Sequence, residues 1–572
     1  MKRLMLCPLF ILLLSITSCS NTPTDTTNVK RLVALGQLWG FLKYHHPAIA
    51  TGNYDWDMEL IKRIPKIQNA RNNEEWKAIL DAWIDTLPPV APSAGKRMPN
   101  LETKSTPDYG ELFNEDYFLP QTIAKVKYIL ANASITSNHY ISISKGLINF
   151  NNELPYKEPL YPDTPHRLLA LFRHWNIINY FFPYRNLCDQ QWNSVLQEMI
   201  PEFIHAKDTT AYYKACEKLE AKIDDSHGFC ENKNDAFIQS VNTLHPPFWV
   251  RFIEGKLVIT EYIIKDECIK QNLQIGDIIT SINNKPVDSL IKERLPYVSA
   301  SNYTTKLRNI AWSTTANGIL RTNTDSMKLS VRRDTGCIDT KIHCQPFNHL
   351  SNLYQTIRKK VEGYQIIKNN IGYVYPASCT EEARNEGIKK VLTGTEGLII
   401  DFRCYPSDYI SLAFLEHLTR KPYPFSLVTF MNVSFPGYAF IINNAKVMPG
   451  TIIRKKGDYD KKIVIIVNEV TQSQAEDIVL GFQLANNVTV IGSPTAGANG
   501  AVTRFSLPGG IMTYMSGRGV YYPDGSNLQR TGVKIDEVVL PTIQGIRENR
   551  DEQLERAIEI IWLMRNSPWM SQ

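Results

Sequence analysis

The chain has 572 residues, of which 43% are hydrophobic and 21% are charged, and its formal net charge is +6. This length allows three or four domains with large cores. The small net charge and the absence of a basic tract argue against a nucleic-acid partner.

The N-terminus resembles a bacterial lipoprotein leader. Two basic residues precede the apolar run Leu4–Leu14, which is too short to span a bilayer and has the size of a signal-peptide core. Ile16-Thr17-Ser18-Cys19 then resembles a lipobox, in which cleavage leaves an acylated Cys19. We expect a signal peptide over 1–18 and a tether over 19–30. The alternative is an ordinary secreted protein with an incidental cysteine.

This leader predicts a protein of the bacterial cell envelope that is held by lipid, at the outer membrane, with its body in the periplasm or at the cell surface. No later segment of the sequence is long and apolar enough to be expected to cross a membrane. The sequence leaves open which face of the membrane carries the anchor.

The next part of the chain contains an internal repeat. The segment that begins at Arg31 recurs from Arg167 at a constant offset of 136, and the match includes the pairs Trp39/Trp175 and Trp56/Trp192. Apolar residues three and four positions apart predict amphipathic helices. We therefore expect two helical units, over 31–156 and 157–245, whose tryptophans are core residues.

The two copies end differently. The first ends in Leu87-Pro88-Pro89, whereas the second runs into Ile223-Asp224-Asp225-Ser226-His227-Gly228-Phe229. A turn between domains can project a histidine into a cleft, and histidine is the usual base near neutral pH. His227 is therefore a candidate catalytic base, although a lone histidine is more often structural. His45 and His46 align with Phe181 and Phe182, which favours a structural role for both.

Residues 246–345 have the pattern of short strands. A Gly276-Asp277 turn leads into a strand, and an Asn283-Asn284 hairpin precedes a helix. This order resembles a PDZ-type domain of the bacterial kind, which binds chain ends by adding a strand to an exposed sheet edge. The alternative is a β-rich module without a binding role.

Residues 346–572 alternate between strands and helices, which predicts an α/β core with a largely parallel sheet. Within this segment the apolar run Ile463–Val467 ends at a polar turn, and Ser473 stands where a helix would begin. A serine in this position is displayed at the carboxyl edge of a sheet, beside free helix amides. Ser473 is therefore a candidate nucleophile.

Four motifs stand out in the C-terminal part of the sequence, namely Asn468–Glu476, Ile491–Gly497, Leu507–Gly510 and Gly532–Asp536. Together they resemble the C-terminal processing (tail-specific) serine peptidases, and most closely the tricorn-like branch. The resemblance covers about residues 160 to 565 and implies a PDZ-like β domain and a crotonase-like α/β catalytic core after the helical repeat.

The resemblance also implies roles for individual residues. Ser473 would be the nucleophile and His227 the base, with Ser226 and Gln529 positioning the imidazole. The processing branch uses a lysine about one helix after the serine, but residues 480–499 contain no lysine. The sequence therefore supports the Ser–His version.

Two departures from the family pattern concern the site. The family's Arg-x-Asn-x-Gly-Gly turn is replaced by Arg403–Asp408, so the oxyanion donors would be the amides of Gln474 and of Ser407 or Asp408. A glutamate that helps to orient the base is replaced by Gln529, which cannot stabilise an imidazolium by charge. Either the activity would then be slow, or another acid, such as Asp225, would serve.

These observations predict a serine endopeptidase that cleaves extracytoplasmic polypeptides. One alternative is an impaired homologue that binds peptides as a lipoprotein, and another is a hydrolase of acyl esters or thioesters. Neither a metal nor a cofactor is expected, because no Cys/His spacing suggests a zinc site. Cys337 and Cys344 flank an expected hairpin end and are the best candidates for a disulfide, whereas the remaining cysteines of the body are expected to be buried thiols. The oligomeric state is left open.

Overall fold

The structure is a computed structural model, and it describes most of the chain. The predicted leader, Cys19 and Asp408 lie outside the described residues. These residues are 26–93, 98–144, 146–234, 243–312, 317–334, 336–357, 360–407, 423–442, 452–453, 459–485 and 487–565.

The N-terminal part is mostly helical, as the apolar spacing predicts. Its elements are α1 (Thr26–His45), α2 (Pro47–Ala50), α3 (Trp56–Gln68), α4 (Asn73–Asp85), β1 (Thr103–Ser105), α5 (Pro120–Asn132), β2 (Ile141–Ser144), β3 (Leu147–Phe150), α6 (Thr164–Phe181), α7 (Trp192–His205), α8 (Thr209–Ala221) and β4 (Phe229–Asn232).

The internal repeat is visible in the hydrogen bonds of the paired tryptophans. The indoles of Trp39 and Trp56 each donate to the other's backbone carbonyl at 3.0 Å. Trp175 and Trp192 make the same reciprocal pair at 2.9 Å. A buried indole N–H needs an acceptor, and each pair supplies one for both rings while joining two helices. Both copies thus build the same contact between their first long helix and the next.

A buried charge cluster joins the two copies to the rest of the protein. Arg173 of α6 forms ion pairs with Asp57 and with Glu153, and Lys43 of α1 binds Glu153 at 2.7 Å. The side chains of Lys43 and Arg173 have no exposed surface. Arg173 Nη1 also donates to the carbonyl of Ser506 at 2.8 Å, in the C-terminal part of the chain. The cluster holds two positive and two negative groups, so the charges are balanced.

The middle part is a β-rich unit, as the sequence predicts. Five strands form one sheet in the order β11-β10-β8-β7-β6, with β9 paired to β8. Its elements are β5 (Leu244–His245), β6 (Phe248–Ile253), β7 (Lys256–Tyr262), α9 (Lys265–Lys270), β8 (Ile278–Ile282), β9 (Lys285–Pro286), α10 (Val287–Arg294), α11 (Tyr303–Ala311), β10 (Ser326–Arg333), β11 (Gly336–His343), β12 (Gln345–Pro346) and α12 (Phe347–Ile357).

The C-terminal part is an α/β unit. Its elements are β13 (Tyr364–Ile367), β14 (Ile371–Val374), α13 (Arg384–Leu392), β15 (Leu398–Asp401), β16 (Tyr423–Pro424), β17 (Leu427–Asn432), β18 (Phe435–Ile442), β19 (Ile452–Ile453), β20 (Ile463–Val467), α14 (Gln474–Phe482), β21 (Val488–Gly492), β22 (Val502–Leu507), β23 (Ile511–Ser516), β24 (Val520–Tyr521), β25 (Glu537–Val538), α15 (Ile543–Arg547) and α16 (Glu552–Arg565).

The sheet of this unit has the order β13-β14-β15-β20-β21-β25, and all neighbours except β13 and β14 are parallel. Every residue of β20 is buried, because both faces of the sheet are covered. Ile463 and Ile465 pack with α14 in one apolar cluster, whereas Val464 and Ile466 pack with α16 in another. The continuous apolar run in the sequence reflects this two-sided burial.

A second, three-stranded sheet ties the helical repeat to the α/β unit. Its order is β22-β23-β4, and Phe229 of β4 pairs with Tyr514 of β23. Because β4 starts two residues after His227, this pairing fixes the turn that carries the histidine against the C-terminal part of the chain. No helix among the described residues is long and apolar enough to cross a membrane.

The predicted disulfide between Cys337 and Cys344 is absent, and both residues are free cysteines. Cys337 lies near the start of β11, and Cys344 directly follows the end of that strand. A strand rises about 3.3 Å per residue, so the two Cα atoms lie far beyond the roughly 7 Å limit for a disulfide. Both positions were wrongly placed at the same end of a hairpin.

Candidate active site

Ser473 occupies the strand–turn–helix position that the sequence predicts. It is the N-cap residue of α14, six residues after the end of the buried strand β20. Its backbone has φ 59° and ψ −118°, a conformation that is costly for a residue with a side chain. The Ser473 amide donates to the carbonyl of Ala498 at 2.9 Å. A strained, partly exposed serine at a helix N-terminus is typical of a displayed nucleophile.

The carboxylate of Glu476 holds the nucleophile turn in place. It is completely buried and accepts hydrogen bonds from the amides of Gly497 at 2.8 Å and Ala498 at 3.0 Å. It also accepts from the Thr495 hydroxyl at 2.5 Å and from the Ser473 amide at 3.3 Å. Burial raises the pKa of Glu476 to about 7, against the opposing effect of these donors. Glu476 therefore couples the Ser473 turn to the 495–498 segment.

His227 lies in a buried turn with one ring nitrogen bonded. Its Nδ1 is 2.8 Å from the Oγ of Ser516, at the end of β23. Its Nε2 is buried and has no hydrogen-bond partner among the described residues, so it is not bonded to Ser473 Oγ here. Burial lowers the pKa of His227, and the neighbouring Arg308 lowers it further, whereas Asp225 raises it. The lowered pKa favours the neutral imidazole, and Nε2 is its nitrogen without a partner among the described residues.

The histidine turn and the serine turn meet directly. The Gln472 side chain donates to the carbonyl of Ser226 at 3.1 Å, which joins the residues that precede the two candidate catalytic residues. The Ser226 hydroxyl donates to the carbonyl of Ala496 at 2.7 Å. Ala498, two residues later, accepts the amide of Ser473. Residues 496–498 therefore contact both turns, which lie 246 residues apart in the sequence.

Asp225 is the carboxylate nearest to the imidazole. Its Oδ1 lies 4.0 Å from His227 Nδ1, and the Ser516 hydroxyl stands between them, 3.1 Å from Oδ1. Asp225 has no exposed surface. The sequence named this residue as the acid that would serve in place of a glutamate at position 529.

Ser226 and Gln529 lie in the site, but neither has a hydrogen bond to the imidazole among the described contacts. Gln529 Nε2 donates to Asp225 Oδ1 at 3.1 Å and to Ser301 Oγ at 3.3 Å. Ser226 Oγ accepts the amide of Ser301 at 2.9 Å in addition to its bond to Ala496. Both residues thus contact the groups around the imidazole rather than the ring itself.

One of the predicted oxyanion donors is available in this structure. The amide of Gln474 begins α14, where helix N–H groups have no partner within the helix, and no acceptor is assigned to it among the described residues. The Ser407 amide instead donates to the carbonyl of Pro376 at 3.1 Å, and its hydroxyl donates to Cys379 at 2.6 Å. Ser407 is therefore occupied elsewhere, and Asp408 lies outside the described residues.

Two arginines of the β-rich unit contact the turn before Ser473. Arg308 of α11 donates to the carbonyl of Glu469 at 2.6 Å and to Gln472 Oε1 at 3.0 Å. Arg251 of β6 forms an ion pair with the Glu469 carboxylate at 2.8 Å. Burial lowers the pKa of Arg308 to about 10. The β-rich unit is thus in direct contact with the candidate nucleophile turn.

Ser516 is the site residue that sequence reasoning missed. It ends a strand in which Met512, Tyr514 and Ser516 lie on one face, by the alternation of β23. A serine at the end of an apolar strand carries no signal of its own. Only the pairing of β23 with β4, which follows the histidine turn, brings it to the imidazole.

Comparison with known proteins defines the class to which this site belongs. Residues 370–539 match the family model of peptidase family S41. No curated protein matches the chain. The resemblance to a peptidase family that the motifs indicated is confirmed, because residues 370–539, which contain all four motifs, match this family model.

Solved structures agree with this fold. Mature CPAF complexed with lactacystin is similar to the chain with a TM-score of 0.54 and 13% identity, covering 70% of this chain and 98% of that one. A mutant of CPAF gives a TM-score of 0.56 and 13% identity, with 71% and 99% covered. The photosystem II D1 C-terminal processing protease gives 0.37 at 13% identity, with 69% and 97% covered. The CPAF likeness shows a shared multidomain α/β fold.

Proposed function

We propose that this protein is a serine endopeptidase in which Ser473 is the nucleophile and His227 is the base. The observation that carries this proposal is the meeting of the two turns through the Gln472–Ser226 bond, with Ser473 strained at the start of α14. Packing alone does not require a costly backbone conformation at a serine that is partly exposed. Strain of this kind is common at functional sites.

In the proposed reaction, Ser473 Oγ attacks the carbonyl carbon of a peptide bond, and its proton passes to His227 Nε2. The unbonded Nε2 is the nitrogen that this step needs, because Nδ1 is occupied by Ser516. The imidazolium then returns the proton to the leaving amine, and water hydrolyses the acyl-enzyme by the same route. Contact between Nε2 and Oγ has to form when substrate binds, as is common for free enzymes.

The oxyanion of the tetrahedral intermediate would be held by the free amide of Gln474, at the positive end of the α14 dipole. The sequence names the amide of Asp408 as a second donor, and this residue lies outside the described part of the chain. One well-placed donor contributes about 3 kcal/mol to transition-state stabilisation. The arrangement therefore suits acyl transfer.

The β-rich unit over 246–345 would act as a PDZ-like domain that captures an extended or C-terminal peptide segment. Its contacts with the nucleophile turn through Arg251 and Arg308 support a role in feeding or gating the cleft. The substrates would be extracytoplasmic polypeptides, and the protein would be anchored at the envelope through lipid on Cys19. Both statements rest on the sequence patterns described above.

The proposal is tested by cleavage of an unfolded protein substrate. Wild-type protein and the Ser473→Ala variant are incubated with reduced, carboxymethylated substrate, and new peptide termini are identified by mass spectrometry. We expect cleavage by the wild type and a loss of at least about 10³-fold in the variant. Equal cleavage by both proteins would contradict the assignment. The Ser506→Ala variant, altered on the neighbouring strand β22, is the matched control.

One further function is supported by a specific observation. The Ser407 amide is bonded to Pro376, and His227 Nε2 is not bonded to Ser473, so an impaired homologue that only binds peptides would have the same contacts. A fluorescent unstructured peptide would then bind to the wild type and to Ser473→Ala alike and would remain intact. Cleavage by the wild type alone would decide for the enzyme.

A further inference from the structure

We propose that Asp225, acting through the hydroxyl of Ser516, is the acid that positions His227, and that Gln529 serves to hold Asp225. This inference rests on the proposed function, because it assigns positioning residues to the same site. Relative to the family pattern that the motifs resemble, the carboxylate and its partner have exchanged: a glutamate is replaced by Gln529, and the acid lies at position 225.

His227, Ser516 and Asp225 form a series of two hydrogen bonds, and the donors in it can be assigned. Ser516 Oγ is 2.8 Å from His227 Nδ1 and 3.1 Å from Asp225 Oδ1. The Ser516 hydroxyl donates to Asp225 Oδ1, which uses its single proton. The oxygen of Ser516 then accepts the proton on Nδ1. This order leaves Nε2 unprotonated, which is the tautomer that a base facing Ser473 needs.

Four hydrogen bonds hold the carboxylate of Asp225 in one orientation. Its Oδ1 accepts hydrogen bonds from the His227 amide at 3.2 Å, from Ser516 Oγ and from Gln529 Nε2, and its Oδ2 accepts the Ser516 amide at 2.7 Å. All four partners are donors. Two of them belong to the histidine's and the bridging serine's own backbone, so the carboxylate also fixes the distance between the histidine turn and β23.

Glutamine at position 529 agrees with the assignment of Asp225 as the acid. Gln529 is 1% exposed and lies 3.1 Å from Asp225 Oδ1. A glutamate there would place two carboxylates together in a buried site, where like charges cannot both stay ionised. An amide instead donates to the acid. A glutamine at position 529 therefore suits a site whose acid is Asp225.

Two charged groups act on the imidazole in addition to hydrogen bonding. Asp225 raises the pKa of His227, and Arg308 lowers it. Removing the charge of Asp225 should therefore lower the pKa of His227 further. The base is active only when it is neutral, so the acid limb of the rate profile should move to lower pH.

The experiment measures the pH profile of kcat/KM on a cleavable peptide for four variants: Asp225→Asn, Ser516→Ala, Gln529→Glu and the double variant Asp225→Asn/Gln529→Glu. We expect losses of about 10²-fold for Asp225→Asn and about tenfold for Ser516→Ala. For Asp225→Asn the acid limb should also move to lower pH. The double variant should be more active than either of its single variants, because it restores one acid and one amide.

The matched control is Asp224→Asn, which changes the neighbouring carboxylate. Asp224 binds Lys306 at 3.1 Å and the Asp189 amide at 2.9 Å, so its loss should leave the pH profile unchanged. The inference is overturned if Asp225→Asn keeps its activity within threefold of the wild type, or loses activity without a shift of the acid limb. Activity in Ser473→Ala would instead refute the proposed function itself. Urea unfolding of each variant separates loss of fold from loss of positioning.

Discussion

Replacing Glu476 by alanine should loosen the nucleophile turn, because it removes the acceptor of several buried hydrogen bonds. The Glu476 carboxylate accepts four hydrogen bonds in a site without exposed surface. The Ser473 amide keeps a second acceptor in Ala498, and the Thr495 hydroxyl can rotate. The amides of Gly497 and Ala498 lose their acceptor, at about 1–3 kcal/mol each. Opening of this segment should therefore become easier by about 2–6 kcal/mol.

Hydrogen exchange measured by mass spectrometry reports this opening directly, in peptides that cover residues 490–500. Since about 1.4 kcal/mol corresponds to a factor of ten, exchange should be about 30-fold to 10⁴-fold faster in Glu476→Ala. Glu476→Gln keeps one acceptor oxygen and should show a smaller effect. An exchange rate in Glu476→Ala within threefold of the wild type would refute the reasoning.

Three further predictions concern charge. Burial raises the pKa of Glu476 from 4.5 to about 7, so the stability that this group contributes is fully present below pH 4.5 and is lost as pH rises through about 7. The free energy of unfolding of the wild type, measured by urea titration, should therefore fall by about 3 kcal/mol over this range, and the fall should be smaller in Glu476→Gln. Arg308 lowers the pKa of His227, so Arg308→Ala should move the acid limb of kcat/KM to higher pH, whereas Arg308→Lys should not. Arg173→Met leaves Asp57 without its buried cationic partner and should lower the free energy of unfolding by about 3–5 kcal/mol in urea titrations. The control is Lys62→Met, which removes an exposed ion pair with Glu59 and should cost no more than about 1 kcal/mol.

The sequence predicted those parts of the fold that have a clear period. The apolar run Ile463–Val467 forms the buried strand β20, and the short-strand pattern of residues 246–345 corresponds to the β-rich unit. The constant offset of the repeat also predicted that Trp39 and Trp56 correspond to Trp175 and Trp192, and the two pairs make the same contacts because two indoles that are buried together need a specific packing arrangement. Local chemistry was sufficient for these elements.

Contacts between distant parts of the chain were not predictable in the same way. Ser516 reaches His227 only because β23 pairs with β4, and no local pattern encodes a pairing between strands that are about 280 residues apart. The same holds for Gln529, whose predicted contact with the imidazole is replaced by one with Asp225. Cys337 and Cys344 show the reverse error, because closeness in sequence was taken for closeness in space along an extended strand.

The most direct test of the central claim is covalent labelling of the protein by a serine-reactive phosphonate probe, followed by peptide mass spectrometry. We expect one adduct per chain, on Ser473, with a labelling rate that falls at least about 100-fold in His227→Ala. Labelling should require a folded protein and should be absent in Ser473→Ala. A wild-type protein that remains unlabelled, or one labelled at a different serine, would contradict the account.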